Sequence, residues 1–540
     1  MKKILYLAST LLAALSLASC QKELEIPQKG TLELDSYYAE AGPEEAERLI
    51  ARVYNDFFNG PKGAQPSIFL DIISDDMWAG GGTFNDNSNE YQFASSLIST
   101  PTDWAFRTVY QVLYRNIYFC NLIVDTMSPE SNDATLNRVR AEAKFIRAIA
   151  LFEAIRWWGT PPFADHIYGE EEKTAPNGDT KTMMDWVLQN LDDASKVLPA
   201  LSAKGTQAQF GARATKHAAL AYYGKAAVWY GTRYKDNAYV QKGQAALKQV
   251  IDSGLYDLLP DPLDVLRLAA DWSPEYIFEH NAADVDEQIT RQNDNRQQWR
   301  NFRDENMYVP DEIYRAGWGF ANPTDDFVNF MIAHDGGEDN PRFRSKLMSY
   351  DRLMSMTYSN PKQKGIIRTI PHCIGWFSAT CLMWKDDIYP KAKTGNSVYS
   401  KANVPYLRYA EVLLLYAEAA FLTKSDEAGG LDALNKVRVR AGLEPLAALT
   451  YQAIKDERRA ELFGEQERYF DIVRWGEGAT ALANKGKKQY GFNGYKADGV
   501  TWDVVEETGT GAGWSDKWNI LPFPETQLTA NPELNQNPGW

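Results

Sequence analysis

The chain has 540 residues, with 57 basic against 72 acidic side chains and a formal net charge of −15. That balance repels a phosphate backbone, and no basic stripe offsets it, which argues against a nucleic-acid partner. Beyond the first twenty residues no apolar run reaches membrane-spanning length, so a body that stays in water is expected.

The first residues read MKKILYLASTLLAALSLASC. Lys2 and Lys3 give a short positive head, and Ile4 to Leu17 is nearly all apolar: a secretory signal, too short to span. Leu17-Ala18-Ser19-Cys20 resembles a bacterial lipoprotein box, which implies removal of residues 1–19 and a diacylglyceryl thioether on Cys20. Two or more acyl chains on one residue anchor stably where one holds only marginally. Residues 20–30, with the charged run QKELE, Pro27 and Gly30, read as a tether. Residues 31–540 are expected to form the body.

Early in that body stands DDMWAGGGTF, Asp75 to Phe84. Trp78 sits between an acidic pair and three glycines, shortly before Asn85, Asp86 and Asn87. The glycines are expected to let a ligand approach the backbone, with Trp78 as a flat apolar face and the polar run as hydrogen-bonding groups. A calcium site built from Asp75, Asp76 and Asp86 fails the EF-hand spacing.

Helical patterns follow. Thr102 is placed to cap a helix from Asp103, along which Trp104, Val109, Leu113, Ile117, Cys120 and Val124 recur at helical steps. A second helix is expected from Arg140 to Gly159, stopped by Pro161 and Pro162. A third pattern, ATKHAALAYYGKAAVWYG, is expected to end at Gly231 in the same way. Trp157-Trp158-Gly159 and Trp229-Tyr230-Gly231 lie at an offset of 72 residues. This is close to twice the ~34-residue period of tetratricopeptide helix pairs, and Ala154 then falls on Ala226. Further helices are expected at Met183–Pro199, at Val240–Gly254, and from Tyr406, Leu431 and Ala453. The fold class is therefore mostly α: a tetratricopeptide-like scaffold of about four helix pairs. Its helical segments lie near 102–255 and 403–476, and irregular portions near 66–101 and 260–400. Trp104, Trp157, Trp158, Trp186, Trp229 and Trp475 lie on the helical patterns and are expected in the core.

Long irregular stretches in compact proteins are usually functional. Within 260–400, Gln298-Trp299-Arg300-Asn301, Tyr308 and Trp318 between Gly317 and Gly319 combine rings with planar polar groups. Trp376 and Trp384 are weaker candidates. Once Cys20 is lipidated three cysteines remain; Cys373 and Cys381 are spaced to close a small loop, and Cys120 reads as a buried thiol. His372 beside Cys373 has no second ligand pair at metal spacing.

The segments AEAKFIRAIALFEAIRWWGTPP, VPYLRYAEVLLLYAEAAF, LDALNKVRVRAGL and IKDERRAELFGEQERYFDIVRWG stand here in order, and the tail reads NILPFPETQLTANPELNQNPGW. In wording and order these resemble the SusD/RagB family of outer-membrane lipoproteins. The resemblance implies four tetratricopeptide-like units, a variable loop-rich remainder and capture of glycans at the cell surface. It also implies delivery to a SusC-type TonB-dependent barrel over which the protein sits as a lid. Some relatives bind peptides instead, and a lipid-anchored glycoside hydrolase is a more distant alternative.

Glycan capture gives the scattered rings a purpose. The C–H face of a pyranose is flat and apolar, so an indole laid on it removes water from both. Planar Asn, Asp and Arg groups then orient hydroxyls. The candidate glycan-binding residues are Trp78, Phe84, Asn85, Asp86, Trp299, Arg300, Tyr308 and Trp318. Acid pairs such as Glu411 with Glu418, or Glu457, Glu461 and Glu465 among Arg458, Arg459 and Arg468, read as ion-paired helix faces rather than a glycosidase pair. The chain carries no GxSxG, HExxH, Walker or dinucleotide fingerprint, so neither catalysis nor a cofactor is expected.

Overall fold

The computed structural model describes residues 39, 41–58, 60–82, 89–127, 131–168, 174–282, 295–303, 309–360, 364, 369–389 and 398–540. Cys20, Phe84, Asn85, Asp86 and Tyr308 lie outside the described residues.

The protein is mostly helical. Helices α1 (Pro43–Phe58) and α2 (Ala64–Ile72) precede strand β1 (Met77–Gly80) and the short α3 (Asn89–Ser95). Five long helices follow: α4 (Trp104–Thr126), α5 (Ala134–Trp158), α6 (Thr180–Val197), α7 (Lys216–Tyr234) and α8 (Asn237–Asp252). Each packs on its neighbour in sequence, as helix-pair repeats must to bury an apolar face. Sequence caps set the starts. Asp133 accepts from the amides of Thr135 (2.9 Å) and Leu136 (3.0 Å), so α5 begins earlier than its apolar pattern. For α4 the N-cap position belongs to Asp103, not Thr102.

Gly159 does end α5, at φ +68. Gly231 does not end its helix: α7 runs on to Tyr234, and a β-carbon at Gly231 would stand 2.6 Å from Val240 Cγ2 of α8. The glycine there lets two helices close in rather than stopping one. Trp157 and Trp158 are sealed in the core and Trp229 is nearly so.

Between the helical blocks the chain forms short pieces: β2 (Tyr276–His280), α9 (Arg296–Arg300), β3 (Phe320–Pro323), α10 (Asp325–Asp335), α11 (Pro341–Lys346), β4 (Leu347–Ser349), α12 (Tyr350–Ser355), β5 (Ile370–Pro371) and β6 (Trp376–Ser378). Strand β7 (Val404–Arg408) pairs antiparallel with β2, so the next helix, α13 (Tyr409–Thr423), starts three residues later than the apolar run beginning at Tyr406. Then come α14 (Glu427–Arg440), α15 (Tyr451–Glu461), α16 (Arg468–Trp475) and the one-turn α17 (Gly478–Ala481). The segment from Ala453 to Trp475 is not one helix. Gly464 (φ +77) and Gln466 (φ +66) turn the chain between α15 and α16. A hairpin, β8 (Lys488–Tyr495) with β9 (Trp502–Thr508), joins β5 in a three-stranded sheet ordered β5-β8-β9, and α18 (Glu525–Ala530) lies near the end.

The charged residues of α13, α15 and α16 are not solvated faces. Arg408 donates to Glu465 (2.8 and 2.6 Å), to Glu461 (3.1 Å) and to Glu275. Arg474 holds Glu418 in a fork, 2.6 Å at each oxygen. All these side chains are buried, and burial is tolerable because each charge meets an opposite charge and further hydrogen bonds, as Glu418 does from Tyr451 (3.1 Å) and Trp475 (2.9 Å). Cys120 and Cys373 are buried free thiols and Cys381 is also free, so the loop between Cys373 and Cys381 is not closed by a disulfide.

Candidate functional site

Strands β1 and β3 organise the candidate residues. They pair antiparallel, with Trp78 opposite Asn322 and Gly80 opposite Phe320. The Gly81 amide donates to the Gly319 carbonyl (2.8 Å). Gly80 adopts φ +66, and a side chain on it would collide with that carbonyl; one on Gly81 would strike the Phe320 ring. The glycines after Trp78 therefore admit the 317–320 segment, not a ligand.

That segment carries Trp318. Its amide donates to Gln298 O (2.8 Å), Gly317 N to Phe302 O (2.9 Å) and Gly319 N to Asn301 O (3.0 Å). Three successive amides thus fasten the turn to α9 and the two residues that follow it. Gly317 is required by the closeness: a β-carbon would lie 2.7 Å from Gln298 O. Held this way, Trp318 is 36% exposed, an unusual state for an indole in the described structure. Trp299 braces it edge-on, with ring centres 4.4 Å apart and planes at 89°. Trp299 rests in turn on Phe320 (5.4 Å) and Tyr91 (6.1 Å), and Tyr91 on Trp104 (5.8 Å). An exposed ring on a rigid aromatic stack is a preformed apolar shelf.

Arg300 does not join this shelf. It is 2% exposed and points inward, its Nη2 pairing with Asp71 (2.6 Å) and donating to Ser67 Oγ (3.1 Å). On a single helical turn, consecutive side chains diverge by roughly 100°, so a half-exposed Trp299 sends Arg300 into the core. Buried and paired with Asp71, it is not placed to orient a ligand's hydroxyls, contrary to expectation.

Trp78 occupies another place. It is 6% exposed and lies against Tyr490 (5.8 Å) and His372 (6.2 Å), with Lys485 Nζ 4.8 Å from its ring centre. It lines a cleft of about 720 Å³ between α10, the 480–488 turn and the β8–β9 hairpin, which shares no lining residue with the Trp299–Trp318 shelf. Sequence reasoning missed Lys485 and Tyr490, which are separated from Trp78 by some four hundred residues of chain.

The acidic pair beside Trp78 is structural. Arg468 grips Asp75 at both oxygens (2.8 and 2.7 Å), and Arg459 reaches Asp76 (2.7 Å) and Asp326 (2.7 Å). Burial alone would raise the Asp75 carboxyl, yet the guanidinium groups of Arg459 and Arg468 hold it well below the usual range. Thr324 caps α10 at Phe327 N (3.1 Å) and donates to Asp75 O (2.7 Å), tying that helix to the turn. Trp376 is half-buried against Phe343 and Trp502, and Trp384 lies under the Arg267 guanidinium (4.8 Å). Among the described residues no group of three or more His, Cys, Asp or Glu side chains is arranged to hold a metal ion.

Two family models match the chain. One, described as the SusD family, covers residues 274–540; another, described as starch-binding and associating with the outer membrane, covers 45–227. A SusD-like protein of Bacteroides ovatus is 30% identical over 176 residues, which is 28% of this chain and 32% of that relative; the matched span is about a third of its length. SusD-like protein P25 of Formosa agariphila is 24% identical over 458 residues, 78% of this chain and 76% of the relative. Among solved structures, a laminarin-binding SusD-like protein superposes with a TM-score of 0.71 at 23% identity, covering 92% of this chain and 99% of its own. Surface glycan-binding protein A from Bacteroides thetaiotaomicron, in complex with laminarihexaose, gives 0.70 at 20% identity with the same coverage. These likenesses establish the shared fold.

Proposed function

Because the chain belongs to the SusD family, we propose that it is a non-catalytic, lipid-anchored glycan-binding protein of the outer membrane. It captures oligosaccharide outside the cell and delivers it to a SusC-like TonB-dependent transporter. Cys20 carries the anchor, and the Trp299–Trp318 shelf meets the glycan. The observation that carries this reading is Trp318: an exposed indole fixed by three backbone hydrogen bonds and a perpendicular ring. Such a face binds a pyranose by dehydration and shape, at little entropic cost because it is already rigid. Two solved relatives, a laminarin-binding protein and one in complex with laminarihexaose, support a glycan as the ligand class.

Non-catalytic capture accords with the fate of the acid pairs. Glu411, Glu418, Glu457, Glu461 and Glu465 are all buried and ion-paired, so none is free to flank a glycosidic bond. The test is calorimetric titration of the protein with laminarin and starch oligosaccharides, repeated on Trp318→Ala. Binding of at least one glycan, weakened ten- to a hundredfold by the substitution, is expected. Binding that ignores Trp318→Ala removes the shelf from the proposal, and release of shortened products removes the non-catalytic assignment.

A further inference from the structure

The cleft beside Trp78 has a feature that its neutral neighbours do not explain. Lys485 is 5% exposed, yet it forms no ion pair with any described residue. Its ammonium donates to Met77 O (2.5 Å) and sits over the Trp78 ring. An ammonium has three donors, so this one retains unused capacity at the wall of a cleft of about 720 Å³. The nearest acids are committed elsewhere: Asp75 to Arg468 and Arg459, and Asp76 to Arg459. Burial therefore pulls the Lys485 ammonium down to about 7 from its ordinary range.

The rim carries acids as well, and one of them, Glu507, lines the cleft with no ion pair to a described residue. Asp326 pairs with Arg459 (2.7 Å), Glu506 with Lys488 (2.8 Å), and Asp325 accepts from the Tyr490 hydroxyl (3.1 Å). The Lys487 ammonium, on the same turn, donates only to Asn484 Oδ1 (3.4 Å) among the described residues. Trp78 lines the cleft as well, and its Nε1 has no hydrogen-bond partner in the described structure. The turn is not free to relax. Gly486, at φ +73, packs against Ser96, and the Gly511 amide donates to its carbonyl (2.9 Å).

A buried cation with no ion pair of its own is costly, Asp75 and Asp76 offset its burial only in part, and strongly perturbed groups of this kind cluster at functional sites. We propose that this cleft is a second sugar site, selective for a sugar unit bearing a negative charge. A carboxylate or sulfate ester meets Lys485 Nζ, and the rings of Trp78 and Tyr490 form the apolar wall. The proposal rests on the glycan-binding reading but uses none of the residues of the shelf. Pairing with the anion restores the full charge of Lys485 in a setting of low dielectric, where one ion pair counts for more than in water. Thr480, Asn484 and Thr508 line the same space and are available to sugar hydroxyls.

The experiment titrates the full chain with three disaccharides matched in linkage: neutral, uronate-bearing and sulfated. Wild type, Lys485→Met, Lys485→Gln and Trp318→Ala are compared. At least one anionic disaccharide is expected to bind wild type tenfold or more tightly than the neutral one. That preference should vanish in both Lys485 variants and persist in Trp318→Ala; which anion is preferred identifies the charged group. Melting temperatures equal to or above wild type in the Lys485 variants show that they fold, since each removes an uncompensated buried charge. An anionic preference that survives both Lys485 substitutions overturns the proposal, as does a wild type without any such preference. In the latter case, glycan binding that still depends on Trp318 leaves the shelf standing, so the two readings fail separately.

Discussion

The backbone of Gly319 fills the space that a side chain on Gly80 would occupy. This contact, not an opening for ligand, is what the glycines after Trp78 provide. Gly80→Ala also forces a β-carbon onto φ +66. It is expected to destabilise the protein by about 1–3 kcal/mol and to weaken glycan binding, because the turn bearing Trp318 must move. Denaturant melts together with titration of one glycan check both effects.

Trp299 supports Trp318 through its edge, and an aromatic pair of this kind adds about 0.5–1.5 kcal/mol beyond the area it buries. Trp299→Ala should therefore weaken glycan binding roughly five- to tenfold, with Trp299→Phe recovering most of the loss. An unaltered affinity in Trp299→Ala would show that Trp318 needs no brace.

Arg408 pairs with Glu275, Glu461 and Glu465 at once, in a cluster that Arg440, Arg342 and Lys346 complete. Removing one member of a buried ionic cluster leaves charges with neither water nor partner, at about 3–5 kcal/mol. Arg408→Met is expected to lower stability by that amount. Arg300→Met should behave similarly through Asp71, and the expected phenotype is loss of folded protein rather than a selective change in ligand preference.

Half-buried Asp271 and buried Glu279 are bridged by Asn403, whose backbone amide donates to Asp271 (2.8 Å) and whose side chain donates to Glu279 (2.8 Å). Burial, reinforced by Asp387 at the first and by Asp271 at the second, pushes Asp271 up to about 7 and Glu279 up to about 8. The native state then binds more protons than the unfolded chain between the unfolded carboxylate range, about 4, and pH 8. Stability accordingly falls as pH rises through that window. Glu279→Gln keeps the acceptor but removes the titration. It should be nearly neutral at pH 4.5 and stabilising by about 1–3 kcal/mol at pH 8.5, as read from denaturant midpoints at the two pH values.

Gly231→Ala tests the helix-pair geometry. The new methyl meets Val240 Cγ2 at 2.6 Å and Asp236 O at 2.7 Å, so α7 and α8 must separate. A loss of about 1–3 kcal/mol is expected, despite the higher helix propensity of alanine. A rise in melting temperature would mean that the glycine serves no packing role.

The helices were legible because apolar periodicity is local, and Pro161 with Pro162 bars α5 from continuing. Their caps were not read: Asp133, Asp179 and Thr450 begin α5, α6 and α15 ahead of the expected Arg140, Met183 and Ala453. The break between α15 and α16 was hidden, since Gly464 and Gln466 sit inside an otherwise helical pattern. Ion pairing was legible, but its burial was not: Arg408 meets Glu275 across 133 residues of chain, and no periodicity encodes such a distance. The site was read unevenly for the same reason. Glycine-flanked Trp318 announced an exposed turn, whereas Arg300 looked equally suited until the helix sent it inward. Lys485 carried no signal at all, because its isolation is a property of the folded surroundings.

Asp71 accepts from Arg300 on one side and from the backbone and side chain of Gln466 on the other, at 3.1 and 3.0 Å. One carboxylate thereby fixes the irregular lobe to the elbow between α15 and α16. Because this clasp lies wholly beneath the surface, substitutions among the outward rings leave the frame that presents them intact.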